Sequence, residues 1–421
     1  MAFVRNALAA AALAGISIAS QAAGTTLLTW SAPDNYAPNS LSNLGTGVLA
    51  ASSATTGVFN QAGNYLLNAQ GVATFIGGKA SNGAAISADG NTIGSTANLG
   101  GIDQAAFYNL GTGTWTSAGT LAGGNGTSAF GGMSSDGTSI VGYSNGANGK
   151  NHAFVSRNGQ TYDLTPAASF TTTAVAVSNG GRVVVGLSGN NNTSGTIWTW
   201  NNATQGYDSA LSTVASIGDG SAAEVAFTAI SANGNWAGGS STNSNYMSQG
   251  FGYGFFAATL TNTATNTTIN IPYDHTLALV ASGVVDPILN WKANVTGVTD
   301  SGTVIGAFNL LSGNRQLTAL TSTDAFIYFA GTNTSMSFDS YLSSIGVTLT
   351  STQHVYSLSS ISADGNNISG LLFDTSLGGS GQTVGFELQG ANITVVPEPG
   401  QWALLALGLP LLLARRMRRE S

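Results

Sequence analysis

The reading turns on Ile86-Ser87-Ala88-Asp89-Gly90-Asn91-Thr92-Ile93-Gly94. It contains an apolar residue, a serine, a spacer, Asp-Gly, and a short apolar strand that ends in glycine. Asp-Gly permits the positive φ of a tight turn, and the Asp and Ser side chains can accept turn amide hydrogens. Apolar runs on both sides supply paired strands, so the stretch predicts a β-hairpin. The pattern returns as Met133-Ser134-Ser135-Asp136-Gly137, Val177-Ser178-Asn179-Gly180-Gly181 and Ile230-Ser231-Ala232-Asn233-Gly234. Val298-Thr299-Asp300-Ser301-Gly302, with a slightly different turn, and Ile361-Ser362-Ala363-Asp364-Gly365 complete the set. The final glycines are 47, 44, 53, 68 and 63 residues apart.

A second element follows each turn, a small residue leading into an aromatic strand. It stands as Ala106-Phe107-Tyr108, His152-Ala153-Phe154, Ile197-Trp198-Thr199-Trp200, Gly254-Phe255-Phe256, Ala325-Phe326-Ile327-Tyr328 and Gly385-Phe386. In the first three copies the aromatic lies 17 residues after the turn glycine. Two elements in fixed alternation, with a period near 45 residues, fit the four short strands of a propeller blade. In the second copy the strands read as 106–110, 114–118, 127–133 and 139–144. The expected fold is all-β, a β-propeller of six to seven four-stranded blades over residues 23–392. Residues 384–389 would open one more blade, and Thr26–Trp30 with 48–54 would supply its remaining strands. Such closure removes exposed strand edges. A β-helix is the rival, with rungs at about half this period or less.

His152-Ala153-Phe154 and Gly119-Thr120-Leu121-Ala122-Gly123-Gly124 resemble the HAF-type extracellular repeats, over roughly residues 64–389. That resemblance implies an extracellular place and a repeat architecture, and no defined chemistry.

The two ends carry a different message. Arg5 precedes a small apolar run, and Ser20-Gln21-Ala22 offers small residues at the −3 and −1 positions of a cut after Ala22. These are the parts of a secretory signal peptide, residues 1–22, which is set aside from the fold. At the other end, residues 393–421 hold Pro397-Glu398-Pro399, an apolar helix over 402–414, then Arg415, Arg416, Arg418 and Arg419. The prolines keep the tether extended, and the arginines should stay on the cytoplasmic side. The apolar stretch is shorter than the roughly 20 residues of a full span. This order resembles the PEP-CTERM sorting signal. The resemblance implies an inner-membrane-tethered precursor, an exosortase-type processing enzyme as partner, and release to the cell surface or beyond. An ordinary membrane anchor would give nearly the same topology without removal of the tail.

Composition narrows the rest. Charged residues are only 7% of the 421, and glycine accounts for 57. A hydrophobic share of 43% still argues for a packed core. Between the two ends, six basic residues face sixteen acidic ones, about −10 in net charge. That disfavours nucleic acid and anionic membrane surfaces, which need clustered cations. The chain has no cysteine, which excludes disulfides, thiol nucleophiles and zinc thiolates.

No catalytic, cofactor or metal constellation emerges. His152, His275 and His354 stand in unrelated contexts. Glu224 and Glu387 are the only glutamates of the body, and the turns absorb Asp89, Asp136 and Asp364. Asp163, Asp208, Asp274, Asp286 and Asp339 remain without a shared motif. The turns resemble the Asp-box of sialidase propellers, but Arg157, Arg182 and Arg315 form no recognisable cluster. Tyr143, Trp198, Trp200, Trp236, Tyr253 and Tyr328 are candidates for a sugar-binding face, with blade packing as the alternative. Trp198 and Trp200 share a strand face, so one of them should be partly exposed. The sequence therefore predicts an exported, non-enzymatic repeat protein acting in cell-surface or exopolysaccharide and biofilm-matrix interactions, with exopolysaccharide or other surface proteins as partners. A polysaccharide hydrolase or lyase built on leftover aspartates is the alternative.

Overall fold

The computed structural model describes residues 16–18, 25–30, 37–51, 61–68, 72–188, 194–215, 222–241, 257–272, 291–311, 320–377, 381–391 and 393. Ala22, Pro397, Glu398, Pro399 and the 402–414 helix lie outside them. So do His275, Asp274, Asp286, Arg315 and Tyr253. The chain divides into two compact units, 1–391 and 392–421, and the first contains every described strand.

Seven antiparallel sheets make a seven-bladed propeller. The innermost strands, in chain order of their blades, are Ser40–Leu41, Lys79–Ile86, Ser128–Met133, Thr173–Val177, Ala222–Ile230, Trp291–Val298 and Gln353–Ile361. Each blade has four strands running outward, and a short extra strand, Thr213–Ala215, adds to the inner edge of the fifth. The predicted hairpins join the innermost strand to the second in six of the seven blades. The strands read as 106–118 and 127–144 exist, but they belong to different blades. Ile102–Asn109 and Thr114–Ser117 are the outer half of the second blade, and Ser128–Met133 and Ser139–Asn145 the inner half of the third. The blade boundary falls at 118–127 because that segment crosses from an outer edge to the next inner one, whereas 109–114 is a tight hairpin.

Closure also differs from the expectation. The seventh blade is Gln353–Ile361, Asn367–Asp374 and Gln382–Gln389, with Thr26–Trp30 paired outside the last of these. Residues 382–389 are therefore the third strand of a blade and open none. Gly47–Ala51 belongs to the first blade. Its neighbour Ser40–Leu41 needs a short connection, which ties the segment to that sheet. Ile16–Ile18, inside the stretch read as a signal peptide, forms one more outer strand on Leu28–Trp30.

The two periodic elements of the sequence are cross-strand partners. Gly94, Gly142, Gly306 and Gly370 on the second strands pair with Phe107, Phe154, Phe326 and Phe386 on the third. The ring needs the missing side chain: a Cβ on Gly306 would come 2.7 Å from Phe326, and one on Gly370 2.8 Å from Phe386. Three of these rings, those of Phe154, Phe326 and Phe386, are fully buried. In the fourth blade Gly186 faces Thr196 instead, and Trp198 stands two residues further on, opposite Val184. The core is assembled seam by seam: Trp198 of the fourth blade packs on Val141, Ala153 and Val155 of the third. Burying one such side chain contributes roughly 1.5–3 kcal/mol.

Among the described residues one α-helix departs from the all-β expectation. Phe338–Ser344 starts at Ser337, whose side chain accepts from the Ser340 amide, and carries Asp339 in its first turn. Phe338, Tyr341 and Leu342 give it a buried face, and the Tyr341 hydroxyl donates to the Ala391 carbonyl. Among the described residues no helix is long and apolar enough to cross a membrane.

Candidate functional site

The repeat turns all lie at one mouth of the ring and share one bonding pattern. In each, the amide of the last glycine donates to the carbonyl of the Ser or Thr three residues before it. The Ser or Thr hydroxyl accepts the first amide of the second strand, as in Ser139 N to Ser134 Oγ at 3.0 Å. Where an Asp or Asn follows, the hydroxyl donates to it in turn: Ser87 to Asp89, Ser134 to Asp136, Ser231 to Asn233 and Ser362 to Asp364. The Ser87 hydroxyl and the Asn91 amide hold the Asp89 carboxyl below its ordinary range. Partial burial raises the Asp136 carboxyl, but bonds from Ser134, Thr138 and Gly180 outweigh it and bring it below that range. Gly90, Gly137, Gly180, Gly181, Gly234, Gly302 and Gly365 all have positive φ, as the turn reading requires.

A seventh turn is hidden in the sequence. Leu41-Ser42-Asn43-Leu44-Gly45 makes the same bonds, with Gly45 N to Ser42 O and Thr46 N to Ser42 Oγ. Its signal is the Ser-to-Gly spacing, which Leu44 in the place of Asp conceals.

Neighbouring turns are clasped to each other at six seams. Asn43 N donates to Ala88 O, Ala88 N to Ser135 O, and Asn179 N to Ala232 O. Gly180 N donates to Asp136 Oδ2, Asn233 N to Asp300 Oδ1, and Asp364 N to Asn43 Oδ1. Inside this rim the innermost strands bulge three residues before the turn Ser or Thr, leaving Gly131, Val175, Thr228, Thr296 and Ser359 unpaired in the ladder. Bulges increase twist and re-aim side chains. The channel so formed encloses about 320 Å³, and all seven blades line it. Its walls are Gly, Ala, Val, Leu, Ile, Met, Phe, Ser, Thr and Asn, including Phe130, Met133, Thr228, Ala232, Thr296 and Ser360.

The leftover titratable residues are placed apart. Buried His152 has Nδ1 2.8 Å from Asp163 Oδ2, and its Nε2 meets Asn148 Nδ2 at 3.0 Å. Since Asn148 Nδ2 is a donor, Nε2 accepts and the proton sits on Nδ1. Both ring nitrogens are thereby engaged in holding the outer half of the third blade. Asp208 accepts from Asn201, Asp339 from the Val355 amide, and the His354 ring lies tilted against Phe373 with centroids 5.3 Å apart. Glu387 is 2% exposed, with Gln389 Nε2 as its bonding partner at 3.1 Å. Burial pushes its carboxyl up to about 8. No group of three metal-ligating side chains occurs among the described residues. Of the candidate aromatics, Trp198 and Tyr328 are core, Trp236 packs on the fifth- and sixth-blade cluster, and Trp200 is half-buried.

No family profile matches the sequence, and neither does any curated protein. Solved structures do resemble it in shape. Oligogalacturonate lyase from Vibrio parahaemolyticus is 11% identical with a TM-score of 0.44, covering 91% of this chain and 96% of its own. The propeller domain of the trilobed protease from Pyrococcus furiosus is 12% identical, with a TM-score of 0.40 and coverages of 87% and 96%. TolB from Acinetobacter baumannii is 13% identical, with a TM-score of 0.34, and this chain spans 64% of it and 72% of itself. Propellers of this kind serve enzymes and non-enzymes alike, so the likeness carries no activity with it.

Proposed function

We propose that this chain is an exported, non-enzymatic propeller that binds uncharged, hydroxyl-bearing polymer at the cell surface or in the surrounding matrix. The leader, residues 1–22, takes it out of the cytoplasm. The tail around Pro397-Glu398-Pro399 holds it at the inner membrane until an exosortase-type enzyme acts. The observation that favours binding over catalysis is the lining of the channel. Hydroxyl, amide, aliphatic and aromatic groups converge there from seven blades. Such a wall offers hydrogen bonds and apolar contact to a neutral chain end, whereas acid–base hydrolysis requires opposed carboxyl groups.

Expression of the full chain in an exosortase-bearing host, followed by fractionation, tests the export arm. Mature protein lacking both ends should appear outside the inner membrane, and intact chain in the cytosol would defeat it. Incubation with exopolysaccharide tests the other arm: the polymer should co-sediment with the protein and release no reducing ends. Ala232→Trp, which fills the channel mouth, should reduce polymer binding by about ten-fold. Polymer turnover would instead favour the hydrolase or lyase reading.

A further inference from the structure

The seam between the third and fourth blades carries a second feature, on the same side as the clasped turns. Arg157 ends the third strand of the third blade, and Tyr162 lies on the outermost strand beside it. Trp200 and Tyr207 are cross-strand partners on the outer hairpin of the fourth blade. The three rings form one group, with centroids 5.3 Å apart for Tyr162 and Trp200, 5.2 Å for Trp200 and Tyr207, and 6.0 Å for the two tyrosines. The Arg157 guanidinium carbon stands 4.1 Å from the Trp200 ring centre. Its Nε donates to the Gly180 carbonyl at 2.6 Å, and the Tyr207 hydroxyl donates to the Gly181 carbonyl. All four side chains are partly exposed.

A tryptophan that only seals a seam looks different in this molecule. Trp115, at the junction of the first and second blades, gives its Nε1 hydrogen to the Ile76 carbonyl across that junction and packs with Tyr108 and the aliphatic Leu66, Ile76 and Leu110. Trp200 gives its Nε1 hydrogen to Asn202, on an exposed hairpin, and keeps polar and aromatic company. Its two tyrosine neighbours stand steeply to it, at 74° and 72°, so neither lies flat on the indole.

The chemistry of the group selects among ligands. An organic cation would compete with the tethered guanidinium already at the ring. An anion meets no net positive field, because Asp136, bonded to Gly180, stands against Arg157, and Asp208, on the opposite face of the strand from Tyr207, stands against exposed Arg182, whose carbonyl accepts the Trp200 amide. A pyranose suits the place: its C–H face lies on an aromatic ring, and its hydroxyls take hydrogen bonds from a guanidinium fork and from side-chain amides such as Asn202. The geometry points to a sugar subsite on Trp200, framed by Arg157, Tyr162 and Tyr207, that takes an uncharged hexose unit of a polysaccharide. This inference rests on the proposed function for its class of partner and assigns that partner a place outside the channel.

Calorimetric titration of the full chain with maltohexaose, cellohexaose and a hexauronate tests it, at about 0.05 and 0.5 M salt. A neutral hexasaccharide should bind with no salt dependence. Trp200→Ala should weaken it by about ten-fold or more, Trp200→Phe by about three-fold, and Arg157→Lys by a few-fold. In Ala232→Trp the channel's share of the binding is lost and the share that Trp200 carries remains. Retained binding in Trp200→Ala overturns the subsite. If that variant does not fold, unchanged binding in both Trp200→Phe and Arg157→Lys overturns it instead. A salt-sensitive preference for the hexauronate refutes the uncharged ligand. Binding lost in Ala232→Trp alone removes this subsite and leaves the proposed function standing, whereas a wild-type chain that binds no carbohydrate removes both.

Discussion

At the scale of single residues, the hydroxyl of each turn matters more than the carboxylate beside it. Ser134 is fully buried, accepts the Ser139 amide and donates to Asp136, so its removal leaves a buried donor without a partner. Ser134→Ala should cost about 1–3 kcal/mol in urea unfolding, and Asp136→Asn, with an exposed amide in place of the carboxylate, clearly less. Glu387 makes a sharper case. Its folded carboxyl holds its proton to about 8, against an ordinary 4.5, with burial as the cause and the Gln389 bond as a partial counterweight. Between those two values the folded chain retains a proton that the unfolded chain has released. Stability from this group is therefore complete below the lower value, declines through the interval and is gone above the upper one, at up to about 1.4 kcal/mol per pH unit. Glu387→Gln should flatten that decline in a series of thermal melts from pH 5 to 9. Equal slopes for the two proteins would show that this group is not its source.

At the scale of elements, the hairpins and their glycine-centred turns are legible because turn chemistry is local. The grouping of strands into blades is not. Tight hairpins join strands within a blade and also look, from sequence, like any other short connection, so the sequence puts the cut two strands from its true position at 118–127. The pairing of Gly370 with Phe386 is equally hidden, although both residues recur visibly, because register depends on the length of the connecting loop. Gly370→Ala forces the Phe386 ring aside in a packed seam and brings a methyl 2.1 Å from the Ser357 carbonyl. The expected cost is about 1–3 kcal/mol or more, read from chemical denaturation. The helix Phe338–Ser344 carries a readable cap at Ser337, but its short length falls below that at which periodicity speaks. The grouping of Arg157 with Trp200 is out of reach of the sequence, since 43 residues separate them and only blade stacking joins them.

At the scale of the whole molecule, stability comes from apolar seams and neutral hydrogen bonds. Among the described residues, Lys79 with Asp103 is the pair of a lysine or arginine with a carboxylate. Raising salt from about 0.05 to 0.5 M should therefore move the thermal midpoint by little, since screening acts on charge pairs. The sequence reads as six or seven blades closed by strands from both ends, and the structure has seven, closed from the N-terminal side by Thr26–Trp30 with Ile16–Ile18 outside it. A cut after Ala22 would leave that strand in the chain. Deleting residues through Trp30 should bare the outer edge of Gln382–Gln389, lower the melting temperature and promote self-association on a sizing column.

That single strand also sets the order of events during biogenesis. Thr26–Trp30 emerges long before its mate Gln382–Gln389. Until then the wheel is an unfastened arc whose outer blades can fold but whose hoop is open. Such a distant pairing is slow to find, so the final snap comes after both strands have been made.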